Sequence, residues 1–358
     1  MKLLVLSGDG IGPEITAATV RAVEAVNHRL NLGLTLEAAE AGLVSLEKNG
    51  TTLTQAVQEQ ARAADGVILG PCDTIVYPDV NDGGINPSAW LRKNFDLYAN
   101  MRPSLARAGA PAKAPDIDLV IARENTEGFY ADRSMFAGSG EFMPTKDVAL
   151  AVRKITREGS RRIVDAACKL AMKRRKKLCI VHKRNVFRMS DGLFYDVAQE
   201  VAAGYDGLEV EDTIVDAMAA LLIRRPESFD VVVTTNMYGD ILSDLAAELS
   251  GGLGLGPSLN AGDDRAIAQA AHGSAPDIAG QNIANPVALM ASASMLLNWL
   301  GERHERPDLV EAATRLDDAI GAQIAENGTK DLGGTLGTDA FGDAVANRIV
   351  NFESKNST

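Results

Sequence analysis

Short runs of apolar residues punctuate the chain at 3–6, 67–69, 119–122, 178–181 and 231–233. Runs this brief, apolar at every position, predict strands covered on both faces. Longer amphipathic stretches lie between them and predict helices over 13–30, 159–173, 191–203, 240–249 and 286–300. Several of these open at Pro, Asp or Gly and close at Gly or a basic turn, as helix ends do. The alternation predicts an α/β fold. No internal repeat is visible.

At 358 residues the chain has the length of two domains and of a sizeable core. Lys and Arg total 36 against 48 Asp and Glu, a formal charge of −12, so most of the surface repels nucleic acid and anionic lipid. The basic cluster at 173–177 falls where a helix ends, and reads as a solvated terminus answering the helix dipole. Cys72, Cys168 and Cys179 are spaced for neither a disulfide framework nor a zinc site, which fits buried thiols in a reducing compartment. The first apolar run is too short for a signal peptide and none approaches the ~20 residues of a bilayer span, so a cytoplasmic protein is expected. Residues 351–358 read as a frayed polar tail.

Four constellations carry chemistry. Gly8-Asp9-Gly10-Ile11-Gly12-Pro13-Glu14 follows a strand and opens a helix, where glycines let a backbone approach a ligand; a tight strand-to-helix turn reads equally well. Pro13 stands where a dinucleotide fingerprint needs its third glycine, so this is not a Rossmann fold. Arg92, Arg102 and Arg123, the last directly after an apolar strand, could hold a polycarboxylate if they converge. Asp240 and Asp244, four apart on a helix, place two carboxylates on one face at its first turns, an arrangement that a divalent cation such as Mg²⁺ would stabilise. His272-Gly273-Ser274-Ala275-Pro276-Asp277-Ile278 forms a small-residue loop in which Asp277 would accept from both hydroxyls of an adenosine ribose and repel a 2′-phosphate, favouring NAD over NADP. Asp116-Ile117-Asp118 matches a phosphatase motif in letters only, since it precedes its strand.

These motifs, with His182-Lys183-x-Asn185 and Ile214-Val215-Asp216, occur in one order that resembles the isocitrate and isopropylmalate dehydrogenases, metal-dependent β-decarboxylating enzymes. The resemblance runs over about residues 1 to 350. It implies an isopropylmalate-dehydrogenase-like α/β fold of two domains: residues 1–97 plus 250–358 form a large cofactor-side domain around an inserted small domain, 98–249. It implies a homodimer, with pairing into tetramers left open, whose sites are shared between subunits. Arg92, Arg102 and Arg123 would bind substrate carboxylates beside Ser88. Asp240 and Asp244, with Asp216 of the other copy, would hold Mg²⁺ or Mn²⁺. Lys183 and Asn185 would also come from that copy. Lys183 would assist removal of the hydroxyl proton, and Tyr130 would protonate C3. Ile11, His272, Gly273, Ser274, Ala275, Asp277, Ile278 and Asn285 would line the NAD site.

Departures from the family pattern bear on the substrate. Ser88 and Ala89 replace the leucines that isopropylmalate enzymes place before the first arginine, so an apolar pocket is not expected. Asn86 and Ser88 offer an amide and a hydroxyl instead, favouring a polar C3 substituent. The acidic loop 73–86, without Lys or Arg, disfavours a strongly anionic one. Gln269 stands where the family often has Glu. The expected reaction is NAD-dependent oxidative decarboxylation of a D-malate-type acid. Isocitrate, homoisocitrate, tartrate or D-malate rank ahead of 3-isopropylmalate. A non-catalytic regulatory subunit and a Mg²⁺ phosphohydrolase are the readings from other classes.

Overall fold

The structure is a computed structural model that describes residues 1–130 and 134–351; the expected polar tail lies beyond Asn351, outside them. The strands are β1 (Lys2–Leu6), β2 (Thr35–Ala39), β3 (Gly66–Leu69), β4 (Ala99–Leu105), β5 (Asp118–Glu124), β6 (Glu141–Thr145), β7 (Val148–Ala151), β8 (Lys177–His182), β9 (Glu209–Ile214), β10 (Val231–Thr234), β11 (Leu259–Ala261) and β12 (Ala266–Gln269). Ten of them form one sheet in the order β2-β1-β3-β12-β11-β4-β5-β10-β8-β9. The block β2-β1-β3-β12 is parallel, as is the block β5-β10-β8-β9. β11 and β4 join them by antiparallel pairings, so the two blocks run in opposite directions and meet at an antiparallel waist.

Each half of the sheet is covered on both faces, as the all-apolar strands require. Around the half built from both chain ends, one cluster gathers Ile15, Val23, Leu297, Leu316 and Phe341 and another Leu6, Leu53, Leu69 and Leu91. Around the other half, Ile163, Ala167, Ile180 and Val231 pack on one face, while Leu119, Val232, Leu242 and Ala246 pack on the opposite one. Successive residues of β10 thus serve different cores, the period-two alternation of a strand. Outside the sheet, β6 and β7 form a hairpin whose residues are all exposed, Phe142, Met143, Val148 and Leu150 included. No helix among the described residues is long and apolar enough to cross a membrane.

Three expectations are corrected. The helix expected at 240–249 spans Asn236–Ser250: it starts directly after β10, and Asp240 therefore lies in its second turn, where the dipole is weaker. The helix expected from 159 begins at Arg157, because the Thr156 hydroxyl caps the Gly159 N–H at 3.0 Å. The basic cluster is only partly a solvated terminus. Arg174 holds the fully buried Asp230 and also Asp118, at 2.7 Å each, since a buried carboxylate needs a cationic partner. Cys168 and Cys179 are buried and Cys72 is half-buried.

Asp9 shows why the first loop has its shape. Its buried carboxylate accepts from the backbone N–H groups of Leu43 (2.7 Å) and Asp73 (2.9 Å) and from the Tyr77 hydroxyl, tying three loops together. Burial pushes the Tyr77 hydroxyl well above its ordinary pKa, with Cys72 and Asp9 adding, so it remains a donor. Gly8 and Gly10 have positive φ, and a Cβ on either would strike the carbonyl oxygen of Pro71 or Ser274; these glycines permit loop-to-loop packing. Asp9→Ala should cost on the order of 3 kcal/mol by stranding buried donors, read as a lower urea midpoint. An unchanged midpoint would contradict this role.

Candidate active site

β4 and β5 pair so that Arg123 lies opposite Asn100 and Arg102 opposite Ile121. Both guanidinium groups are buried and point toward the Asn236–Ser250 helix. Asn236 Oδ1 accepts from Arg123 Nε (3.0 Å) and Nη2 (2.6 Å), and Arg123 Nη1 pairs with Asp240. Arg102 donates to Asn100 Oδ1 (2.6 Å) and Ser243 Oγ (2.8 Å). Its Nη1 lies 3.2 Å from Asp240 and 3.5 Å from Asp244, so both carboxylates face one point. The Tyr130 hydroxyl donates to Asp240 Oδ2 at 3.3 Å. The helix reaches this depth because Gly239 has no side chain: a Cβ there would lie 2.6 Å from Arg123 Cγ.

Burial lowers the Arg102 pKa to about 10, with Arg123 adding to the effect and Asp240 and Asp244 opposing it. The group is still cationic at neutral pH. Burial alone would raise Asp240, but Arg123, Arg102 and Arg92 together outweigh it and hold the carboxyl below its ordinary value. Burial raises Asp244, and Arg102 only partly offsets this. The pair therefore carries one firmly ionised carboxylate and a second, half-exposed one. Such hard oxygen donors on one helix face fit Mg²⁺ or Mn²⁺.

Arg92 is buried in the Pro87–Asn94 helix and acts on Asp240 electrostatically. Asn86 is that helix's cap, its side-chain oxygen accepting from the Ala89 N–H at 3.0 Å. The amide expected to face a substituent with Ser88 is thus committed to the backbone through its oxygen. Ser88 instead donates to Gln269 Oε1 at 2.9 Å.

Lys183 and Asp216 form a separate cluster beyond the ends of β8 and β9, where they pair with each other. Asp216 is largely exposed and Asn185 is exposed. β8 lies between β10 and β9, which places the Asp216 strand two spacings, roughly 10 Å, from the strand leading to Asp240. Among the described residues no three His, Cys, Asp or Glu side chains converge to hold a metal ion. One chain brings together Asp240 and Asp244 but not Asp216.

The cofactor-loop residues follow the ends of β1 and β12, the two strands that flank β3. Ile11 is buried in the core and its N–H donates to the Ser274 carbonyl at 2.8 Å. Ala275 has a left-handed φ of 39° and opens the Pro276–Ile278 turn. Asp277 is exposed, Ile278 packs on the core, and a Cβ on Gly273 would meet open space. Asn285 is occupied by Asp331 (2.9 Å) and the Val287 N–H (3.0 Å). His272 Nδ1 lies 2.9 Å from the Gly273 carbonyl, while its buried Nε2 has no hydrogen-bond partner among the described residues. A buried, unpaired ring nitrogen beside open backbone fits a planar polar ligand such as a nucleotide base. Asn236, Ser243 and Asn100, which orient the arginines, escaped the sequence reading; only their closeness to the arginine and aspartate motifs could have marked them.

A sequence model described as isocitrate/isopropylmalate dehydrogenase matches residues 2–345. The chain is 43% identical over 355 residues to an isocitrate/homoisocitrate dehydrogenase of Thermus thermophilus, covering 97% of this chain and 98% of that one. It is 39% identical over 337 residues to a 3-isopropylmalate dehydrogenase of Saccharolobus solfataricus, covering 93% and 95%. The crystal structure of isocitrate dehydrogenase from Methylococcus capsulatus superposes with a TM-score of 0.87 at 37% identity, covering 98% of this chain and 99% of that one.

In a helix Ala is ordinarily preferred to Gly by about 1 kcal/mol. At Gly239 the sign should reverse. Gly239→Ala should destabilise by about 2 kcal/mol through overpacking on Arg123, measured by urea unfolding, and a gain in stability would refute this contact.

Proposed function

The chain belongs to the isocitrate/isopropylmalate dehydrogenase family, and from that premise we propose that it oxidatively decarboxylates a D-malate-type 2-hydroxy acid with NAD and Mg²⁺ or Mn²⁺. Isocitrate, homoisocitrate, tartrate and D-malate rank ahead of 3-isopropylmalate. The observation that carries this reading is the convergence of buried Arg102 and Arg123 on Asp240 and Asp244. Cations there receive the substrate's carboxylates, and the acidic pair receives a dication. The two halves of the sheet are read as the domains, 1–97 with 250–358 and 98–249, and the waist between them as the site.

Arg92, Arg102 and Arg123 orient the acid through its carboxylates, Arg123 fixed in turn by Asn236. Lys183 takes the proton of the C2 hydroxyl, and the NAD that the Ile11 and His272 loops would hold would supply the hydride acceptor by which C2–OH becomes C2=O. The carboxylate on C3 then leaves as CO₂, and Tyr130, held by Asp240, returns a proton to C3. When bound by Asp240, Asp244 and a second copy's Asp216, the divalent ion supplies acidity to the C2 oxygen and stabilises the charge that develops there. Asp277 selects NAD by accepting from ribose hydroxyls, and Ile278 offers no cation to a 2′-phosphate.

The second copy supplies Lys183, Asn185 and Asp216. Two features support this: these residues stand apart from the arginine cluster within one chain, and the apolar β6–β7 hairpin, with exposed Val186, Phe187 and Met189, offers a face for a partner. NADH absorbance with a panel of substituted malates and Mn²⁺ should rise, and should disappear with excess chelator and in Asp240→Asn. A broad panel without NADH formation would overturn the reading.

Sharing of sites makes a second prediction. Asp240→Asn and Lys183→Ala chains, each inactive alone, should on subunit exchange recover up to roughly a quarter of wild-type activity, because one site of each hybrid dimer is intact. Mixtures that stay inactive despite exchange would place the whole site in one chain.

A further inference from the structure

Asp191 has no part in the chemistry assigned above, yet its carboxylate is fully buried. One oxygen pairs with Arg153 Nη1, and the other accepts from the backbone N–H of Lys183 at 2.6 Å. β8 ends at His182, whose partner Ile214 closes the β8–β9 register, so that ladder stops one residue short of Lys183. The chain then turns, the Lys183 carbonyl accepting from the N–H groups of Val186 and Phe187 at 2.9 Å each, and enters the Ser190–Ala202 helix. From the first turn of that helix Asp191 reaches back and closes the turn.

Arg153 holds this carboxylate in place as an ion. Its side chain is largely buried, with the guanidinium 5.0 Å from the ring centre of Tyr238, 5.2 Å from that of Phe187 and 5.8 Å from that of Phe129. It also donates to Thr235 Oγ1 at 3.0 Å and to Ser190 Oγ at 3.2 Å. Thr235 precedes the Asn236–Ser250 helix, and its hydroxyl, turned to Arg153, makes no cap there. The pair thus stands where the Lys183 turn, the residue before Tyr130 and the start of the Asp240 helix meet. Apolar side chains filling this space would avoid the desolvation that two buried charges cost. What the charge pair adds is direction, since each carboxylate oxygen fixes a separate partner. The Lys183 ammonium itself rests on the largely exposed Asp216. A flexible four-carbon stem is aimed by the backbone it starts from.

We propose that Asp191 is a positioning residue for Lys183: held by Arg153, it fixes the backbone from which Lys183 reaches the C2 hydroxyl in the partner's site. This rests on the function proposed above and extends it, because loss of Asp191 is then felt in the partner's site and not in the site built on the same chain's Asp240.

The test is kcat and KM of Asp191→Asn with Mn²⁺, NAD and the panel acid that the wild type uses best, followed by subunit exchange. Alone, the variant should lose about tenfold in kcat, as displacement of a reacting group does. KM for the acid should stay within about threefold, because the arginines are untouched. Mixed with Asp240→Asn chains it should recover roughly a quarter of wild-type activity, because one site of each hybrid joins an intact Asp240 to a correctly held Lys183. Mixed with Lys183→Ala chains it should stay near about 5%, because no hybrid site has both. A general folding defect cannot separate these two mixtures. Should Asp191→Asn not fold, Asp191→Asn joined to Arg153→Gln strands no charge and takes its place, with the same pattern expected. Recovery with Lys183→Ala, recovery with neither, or an unchanged kcat overturns this inference and leaves the dehydrogenase reading intact. The mixture of Asp240→Asn with Lys183→Ala reports on sharing by itself; if it stays inactive the sharing falls, and the split between kcat and KM alone decides the role of Asp191. Inactivity of the wild type toward the whole panel overturns the dehydrogenase reading, and this inference with it.

Discussion

Two guanidinium groups buried side by side can persist only if counter-charge is brought to them, and in this chain Asp240 is that counter-charge. Arg102 and Arg123 stand on adjacent antiparallel strands, where burial and the neighbouring Arg123 both disfavour the charged state of Arg102. Asp240 pairs with both. Gly239, Asn236 and Ser243 belong to the same requirement: one lets the helix approach, and the other two accept hydrogen bonds from the guanidinium groups. In the function proposed above, a substrate carboxylate would take the place of Asp240 at the arginines as a dication takes the carboxylate.

The architecture places that cluster where it can be useful. Because the two parallel blocks run in opposite directions, the waist is the one region of the sheet to which the chain contributes from both halves. Arg92 and Gln269 approach from the half built of both chain ends, and Asp240 and Asp244 from the other. A ligand spanning the waist touches both, so its binding energy can be used to fix their relative position.

The regular elements were readable because all-apolar runs between amphipathic stretches have few other solutions. Element starts were less so: the helix capped by Thr156 begins at Arg157, two residues before the expected start, and the helix from Asn236 opens with no capping side chain at all. Within the site, ionisable residues in motifs were visible, whereas the neutral groups that orient them were not. Asn236 and Gln269 look like ordinary polar residues until their partners are known. Asn86 was misread for the complementary reason, as an amide near a substrate motif that in fact caps a helix. The glycines beside Asp9 read equally as a ligand loop or a tight turn, and in the structure they let protein backbone pass protein backbone.

The central claim is that the acidic pair under the buried arginines is a cation site completed by the hydroxy acid. Calorimetric titration of Mn²⁺ into the purified protein, with and without a saturating non-reacting 2-hydroxy acid analogue, tests it directly. The account predicts one ion per chain, bound at least tenfold more tightly with the analogue present, and no such enhancement in Asp244→Asn. Binding that ignores the analogue, or that survives loss of Asp244 unchanged, would contradict it.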